Sequence, residues 1–376
     1  MRLVLLGDAE SPHLLKWARA LAPRVELWAA SSRGFSAGWD GLVPPERRLA
    51  LATRPNFEGG NAALLRQLPR LARWLRRVRA DWIHAHYLSS HGTLAWLATR
   101  WLGAPGRLVG SAWGSDILVT PLRSRLMRWV TGRVLRACAL STSDSQVMAQ
   151  QMHALGALEV MVFPFGLETL PPLPAAGSKQ PHSFFANRGL EPIYAPQRVL
   201  QAFAAVARVW PDADLVLANG GSLQPQLQQL AAELGIVQQV QFVGRLDAVS
   251  QARCYAQARW YLSLPESDSV SVSVLEAMAH GCIPILSDLP ANRELVRHGD
   301  NGLVLAAAQK LQAADLTALL PHAEVIAQAN HDWVARHAMF APAVSRFLAR
   351  LRALDDAAVA SRSGPVAQPP DRSTKP

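Results

Sequence analysis

The stretch from Leu264 to Gly281 concentrates residues that could do chemistry. It reads Leu264-Pro265-Glu266-Ser267-Asp268-Ser269-Val270-Ser271-Val272-Ser273-Val274-Leu275-Glu276, then Ala277-Met278-Ala279-His280-Gly281. The pattern predicts a strand ending at Leu264, a turn of small and hydroxylated residues, and a helix opening near Val274. Amides and hydroxyls at a helix N-terminus attract anions, and open α/β sheets bind ligands beyond the carboxyl ends of their strands. Ser271, Val272 and Ser273 would face such an anion. Asp268 and Glu276 would flank it, one on sugar hydroxyls and the other on a ribose diol. Read locally, a Ser-rich helix cap with Glu276 as an ordinary helix residue fits equally.

Arg188 follows a second predicted strand, where a guanidinium can hold phosphate oxygens in bidentate fashion. A surface loop arginine is the plainer reading. Asn219-Gly220-Gly221-Ser222 and Gly244 also follow strands, and glycine lets backbone approach a ligand closely; an ordinary turn has the same composition. In the first half, alternation puts His84 and His86 on one strand face. They could ligate a metal, but no third ligand accompanies them. Trp113-Gly114-Ser115-Asp116 ends another strand, with Asp116 as a helix cap in the bland reading. Gly7, Asp8 and His13 occupy the first strand-to-helix loop. Asp212 and Asp214 read as a solvated turn. No Gly-x-Gly-x-x-Gly follows the first strand, which weighs against a dehydrogenase.

The elements that must position these residues alternate. Predicted strands are Leu3–Leu6, Val25–Ala29, Trp82–Ala85, Arg107–Ser111, Leu140–Thr142 and Val160–Phe163, then Ser183–Ala186, Leu215–Ala218, Val240–Val243, Trp260–Leu264 and Ile283–Leu286. Helical periods separate them, including Pro12–Ala22, Ala62–Arg79 and Pro196–Val209. Alternation of this kind implies parallel sheets flanked by helices. The chain has 376 residues, enough for two domains at about 100–200 residues each. A Pro-rich linker, Leu170–Gly177, divides them. The expected organisation is a Rossmann-like domain over 1–170 and a second over 171–332. A helix over 333–354 would return toward the first domain, and 355–376 would be a disordered tail.

The residues from Leu264 to Gly281 resemble the Glu-x7-Glu signature of the family 4 glycosyltransferases. Asp268 stands eight positions before Glu276, where that family usually has its first Glu, and a subgroup is similar to this Asp-x7-Glu form. Pro284–Glu294, Asp300-Asn301-Gly302, Phe163–Glu168 and the subgroup's Trp-Gly-Ser-Asp motif at Trp113–Asp116 follow the same pattern. The resemblance implies an α/β, GT-B fold with two Rossmann-like domains facing across a cleft. It implies a retaining enzyme that needs no metal ion or other cofactor and takes a nucleotide-sugar donor. Glu276 would hold the ribose, Asp268 the donor sugar and Arg188 the diphosphate. Gly220, Gly221, Ser222 and Gly244 would lie by the nucleotide. His86 would line the cleft near the transferred sugar, with Gly7, Asp8, His13, Trp113, Gly114, Ser115 and Asp116 on the acceptor side. Many family members carry an Arg and then, five residues on, a Lys. Here Gly189 and Tyr194 take those columns, Arg188 substitutes for the Arg, and the Lys is missing.

Charge is one-sided. Residues 1–170 hold 21 Lys and Arg against 11 Asp and Glu, whereas residues 171–376 hold 17 of each. Arg66, Arg70, Arg73, Arg76, Arg77 and Arg79 share an amphipathic helix with Trp74. Arg123, Arg125, Arg128, Arg133 and Arg136 cluster near Trp129. Such helices suit an anionic membrane surface, although an apolar face packed on the sheet explains either one alone. No nucleic-acid-binding signature accompanies the charge. Cys138, Cys254 and Cys282 form no metal or disulfide pattern. The cysteine pattern fits the cytoplasm; the charge, taken with what the resemblance implies, suggests a peripheral place at the inner face of the plasma membrane and a lipid-linked saccharide of envelope or exopolysaccharide synthesis as acceptor. A sugar-nucleotide epimerase of the same fold and a non-catalytic nucleotide-sugar-binding subunit are the competing readings.

Overall fold

Leu3, Val4, Leu5 and Leu6 form an uninterrupted apolar run, and all four side chains are fully buried. A strand covered on both faces requires such a run. They lie in β1 (Arg2–Ala9), within a seven-stranded parallel sheet. Its other strands are β2 (Glu26–Phe35), β3 (Arg48–Ala50), β4 (Trp82–His86), β5 (Arg107–Ser111), β6 (Cys138–Ser143) and β7 (Val160–Val162). The order is β3-β2-β1-β4-β5-β6-β7. A second parallel sheet contains β8 (Gln180–Ala186), β9 (Asp214–Ala218), β10 (Val240–Gly244), β11 (Ala258–Ser263), β12 (Ile283–Ser287) and β13 (Leu303–Leu305), in the order β10-β9-β8-β11-β12-β13. The computed structural model describes residues 1–54, 62–307 and 309–362.

Every expected strand is present. β3 and β13, three residues each, are additional to the expected strands. Strand order reverses between β1 and β4 and between β8 and β11. Such switch points open a crevice at the carboxyl edge of the sheet, and the candidate residues gather at these edges.

Two helical expectations are corrected. The stretch Ala62–Arg79 is broken into Ala62–Leu65 and Leu68–Val78. Pro69 sits in the first turn of the second helix, where its missing N–H costs nothing. The helix expected over 333–354 is also two, Ala323–His337 and Phe340–Arg362, so residues 355–362 are helical, not a disordered tail. Residues 363–376 lie outside the described residues.

The break between those last helices marks a chain crossing. Val334 and Ala338 belong to the core of the second domain, whereas Phe340, Val344, Phe347 and Leu351 belong to that of the first. The outward crossing lies alongside: Leu167 N–H donates to the Ala338 carbonyl at 2.8 Å, and Phe340 N–H donates to the Leu167 carbonyl at 2.8 Å. Gly166 permits this approach, since a Cβ there would lie 1.7 Å from the Ala338 carbonyl oxygen. The last helix is held by Trp17, whose ring meets Phe340 at 5.1 Å and Phe347 at 5.2 Å.

Trp17 also packs edge-on against His84 at 4.7 Å. Burial pushes the His84 pKa down to about 3, below the ~6.5 of an unfolded chain. The unfolded chain then binds the proton first, so stability is lost as pH falls from about 6.5 toward 3. The thermal midpoint is expected to fall through that window. His84→Gln, which keeps a polar group for Ser111, should flatten the slope in a pH series of melting curves.

Candidate active site

At the carboxyl edge of the second sheet, β11 ends and the chain turns into the helix Val272–Ala279. Ser271 is its N-cap, yet its hydroxyl makes no capping bond. It accepts instead from Arg188 and lies 2.8 Å from the Ser273 hydroxyl. Among the described residues, no acceptor meets the amides of Val272 and Ser273. The local reading of a Ser-rich cap therefore gives way to an open helix terminus with an arginine across it.

Arg188 follows β8 and its guanidinium organises the site. It donates to Asp268 Oδ2 at 2.6 Å and to Ser273 at 3.4 Å, in addition to Ser271. It lies 4.4 Å from the centre of the Tyr194 ring, and its Nε is buried without a partner. The tyrosine in the column of the missing lysine thus stacks on the cation. Burial pushes the Asp268 carboxyl up, and Arg188 pulls it back down. Arg188 and Asp268, assigned to separate ligand groups by the resemblance, are bound to each other.

Glu276 lies one helical turn deeper. Its Oε2 accepts from Tyr255 at 3.0 Å and Gln251 at 3.2 Å; among the described residues, Oε1 has no donor. Burial raises its pKa, while Tyr255 and then Lys16 lower it. Behind these groups, Asn187 donates to Tyr255 at 2.8 Å and accepts from Tyr261 at 2.7 Å. A fully bonded polar layer of this kind holds its neighbours rigidly.

The glycine loops are positioned by packing. A Cβ on Gly221 would lie 2.3 Å from the Leu190 carbonyl oxygen. Gly244 has φ +68° and accepts from Asn219 N–H at 2.6 Å. Gly220 is exposed. Ser222 gives both its amide and its hydroxyl to Glu191.

Across the cleft, Gly7 is crowded: a Cβ would lie 2.9 Å from Leu14 and 3.4 Å from the His86 Cβ. Asp8 is turned to Arg33 at 3.4 Å. His13 packs on Trp113 with ring centres 4.9 Å apart. Burial, then Lys16 and Arg188, push the His13 pKa to about 4, so the ring is neutral between two cations. Trp113 Nε1 donates to His86 Nδ1 at 3.2 Å. An indole N–H only donates, so the neutral His86 carries its proton on Nε2. That atom is buried without a partner. With His86 4% exposed, neither ring nitrogen is open to the cleft in this arrangement.

Asp116 is corrected. It is fully buried and accepts from Trp113 N–H at 2.9 Å and Leu88 N–H at 2.8 Å. It shapes the loop instead of lining an acceptor. Ser115 bonds the Tyr87 hydroxyl. At Gly114, φ +106°, a Cβ would lie 3.9 Å from Ser269 of the opposite domain. The histidine pair is engaged elsewhere: His84 Nε2 bonds Ser111 at 2.7 Å and His86 Nδ1 accepts from Trp113, and among the described residues there is no group of three or more His, Cys, Asp or Glu placed to hold a metal ion.

Lys16 escaped the sequence reading because it looks like any helix lysine. It is buried and donates to the carbonyls of Phe165 at 2.7 Å and Gly166 at 2.6 Å, on the crossing between domains. Burial pushes its pKa down to about 8, with Glu168 and Glu276 opposing. No local pattern signals this; only the fold brings residue 166 to residue 16.

An open helix terminus with Arg188 across it faces His13 and Trp113 between two Rossmann-like domains, the architecture of a GT-B fold. Residues 175–334 match the family described as Glycosyl transferases group 1, and residues 2–150 match Glycosyl transferase 4-like. The chain is a glycosyltransferase with the GT-B fold. It is 26% identical over 332 residues to phosphatidyl-myo-inositol mannosyltransferase of Mycobacterium leprae, covering 84% of each. It is 25% identical over 261 residues to N-acetyl-alpha-D-glucosaminyl L-malate synthase of Bacillus anthracis, covering 65% of this chain and 66% of that protein. Among solved structures, Anabaena HepE in complex with UDP-glucose is similar with a TM-score of 0.76 at 16% identity, covering 94% of this chain and 100% of that one.

Arg188→Met strands the Asp268 carboxylate. Breaking a fully buried pair costs about 3–5 kcal/mol. Here the side chains are 19% and 21% exposed, so solvent screening reduces the expected loss to about 1–3 kcal/mol. Calorimetric unfolding checks this, and adding Asp268→Asn should recover part of the loss.

Proposed function

We propose that this glycosyltransferase moves a sugar from a nucleoside diphosphate donor with retention of anomeric configuration and without a metal ion. The cradle of Arg188, Ser271 and the open amides of Val272 and Ser273 carries this reading. It offers charge and donors where a departing diphosphate needs them, which is the role a metal plays elsewhere. Glu276 Oε1 is the acceptor for a ribose hydroxyl. Asp268, held on Arg188, contacts the donor sugar through its remaining lone pairs. The glycosidic C–O bond breaks toward the diphosphate, an oxocarbenium-like centre forms, and the acceptor hydroxyl attacks the same face. Its proton passes to the departing diphosphate oxygen. Closure over His13 and Trp113 excludes the water that would otherwise hydrolyse the donor.

A panel of nucleotide sugars, scored by thermal shift and then by slow hydrolysis, tests this. A donor of this class should raise the melting temperature, chelator should leave turnover intact, and Glu276→Ala should weaken donor binding at least tenfold. Full transfer by Glu276→Ala, or turnover abolished by chelator, refutes the assignment. Conversion of a donor without any acceptor would point to an isomerase.

The acceptor is read from surface chemistry. In the helix Leu68–Val78 the apolar face, Leu71, Trp74, Leu75 and Val78, is buried in the first domain, so that helix does not present Trp74 to a bilayer. The second basic cluster differs. Leu122, Leu126 and Trp129 are 78%, 61% and 52% exposed, beside exposed Arg123, Arg125, Arg128 and Arg133. Apolar side chains flanked by arginines suit an anionic bilayer, and no helix among the described residues is long and apolar enough to cross one. A lipid-linked saccharide presented at the cytoplasmic membrane face fits this surface. Sedimentation with phosphatidylglycerol vesicles at low salt should retain the protein, and Leu126→Ser with Trp129→Ser should lower the partition about tenfold or more. Equal partition of that variant would remove the membrane from the proposal.

A further inference from the structure

The cradle is tied to the opposite domain through Ser269. Ser269 is 2% exposed and sits directly after Asp268. Its hydroxyl donates to Asp144 Oδ1 and lies 2.9 Å from the hydroxyl of Ser145, both beyond the end of β6 in the first domain. Its amide donates to Asp268 Oδ1 at 3.0 Å. Asp268 Oδ2 in turn receives Arg188, and Arg188 reaches Ser271 and Ser273. An unbroken run of hydrogen bonds therefore leads from the first domain to the groups proposed to meet the diphosphate.

A second contact keeps the two lips together. The Glu294 carboxylate accepts from the amides of Gln146 at 2.9 Å and Val147 at 2.8 Å. It covers the N-terminus of the helix Gln146–Leu155 from across the cleft, where a carboxylate is favoured. Asp144, Ser145 and Ser269 are all buried, so none of their bonds is replaced by water without parting the domains.

We propose that Ser269 is a positioning residue: by bonding Asp144 and Ser145 it lets contact between the domains set the Asp268–Arg188 geometry, so the cradle is arranged only in the closed form. The inference rests on the donor reading above and deepens it. A carboxylate against one face of a serine hydroxyl and a second serine on the other leave that hydroxyl one orientation, and the adjoining amide follows. Burial pushes the Asp144 carboxyl up to about 7, and Asp268 adds to the shift, which reflects how near the two acids are held.

Two readouts test this. The first uses no ligand: phenylglyoxal labelling of Arg188 in the full chain, followed by peptide mass spectrometry. Ser269→Ala and Asp144→Ala should each speed labelling several-fold, and Asp144→Asn, which keeps the acceptor, should stay near wild type. The second is calorimetric titration with UDP. Each alanine variant should bind about tenfold more weakly, and the double variant no more weakly than either single one, because one chain of contacts is cut only once. Unchanged Arg188 labelling in Ser269→Ala, or losses that add in the double variant, would overturn the relay. Wild-type protein that ignores UDP would count against a uridine donor alone, since labelling still decides the relay.

Discussion

A guanidinium in a partly dry cleft must be compensated, and the pairing of Arg188 with Asp268 answers that constraint here. The acid supplies the negative charge, and two serine hydroxyls engage other guanidinium donors. The guanidinium proposed to meet a leaving diphosphate is thus fixed by its own protein partners. Preorganisation of this kind avoids reorienting dipoles during bond breaking. The shorter Asp suits the role, since its carboxylate reaches the guanidinium at 2.6 Å while its other oxygen stays on the adjoining amide. Tyr194 completes the arrangement by stacking on the cation where a second cation would have repelled it.

The rest of the fold serves the meeting of two sheet edges. Each sheet places its candidate residues at the carboxyl ends of its strands. The crossings at Leu167 and Met339 pair with each other, with Gly166 allowing backbone to touch backbone. Lys16 fastens one crossing by donating to its carbonyls, and its charge lies within reach of Glu276. A buried ammonium therefore lies between the crossing segment and Glu276. On the far wall, the neutral His13 and His86 frame Trp113 without adding charge that would oppose Arg188.

Surface and core divide the arginines of the first domain in a way that composition hides. Both basic helices share the same residue types, yet one buries its apolar stripe against the sheet and the other leaves Leu126 and Trp129 in solvent. The difference lies in what each helix packs on, and an amphipathic pattern is the same for a helix on a core and a helix on a bilayer.

Much of this protein follows from local pattern. Buried parallel strands must be apolar throughout, so Leu3–Leu6 and Ile283–Leu286 announce themselves, and their alternation with helices dictates two doubly wound domains. Asp268 and Glu276 fall at one sheet edge because a strand end, a polar turn and a helix start are consecutive in the chain. Other features have no local signature. That Asp116 is buried as a loop brace, that Lys16 grips residues 165 and 166, that Asp144 meets Ser269, and that Arg188 pairs with Asp268 depend on contacts between residues 80 to 150 positions apart or across a buried loop. Burial and partner choice for a polar side chain are set by what the whole fold brings beside it, and only tertiary structure supplies that neighbour.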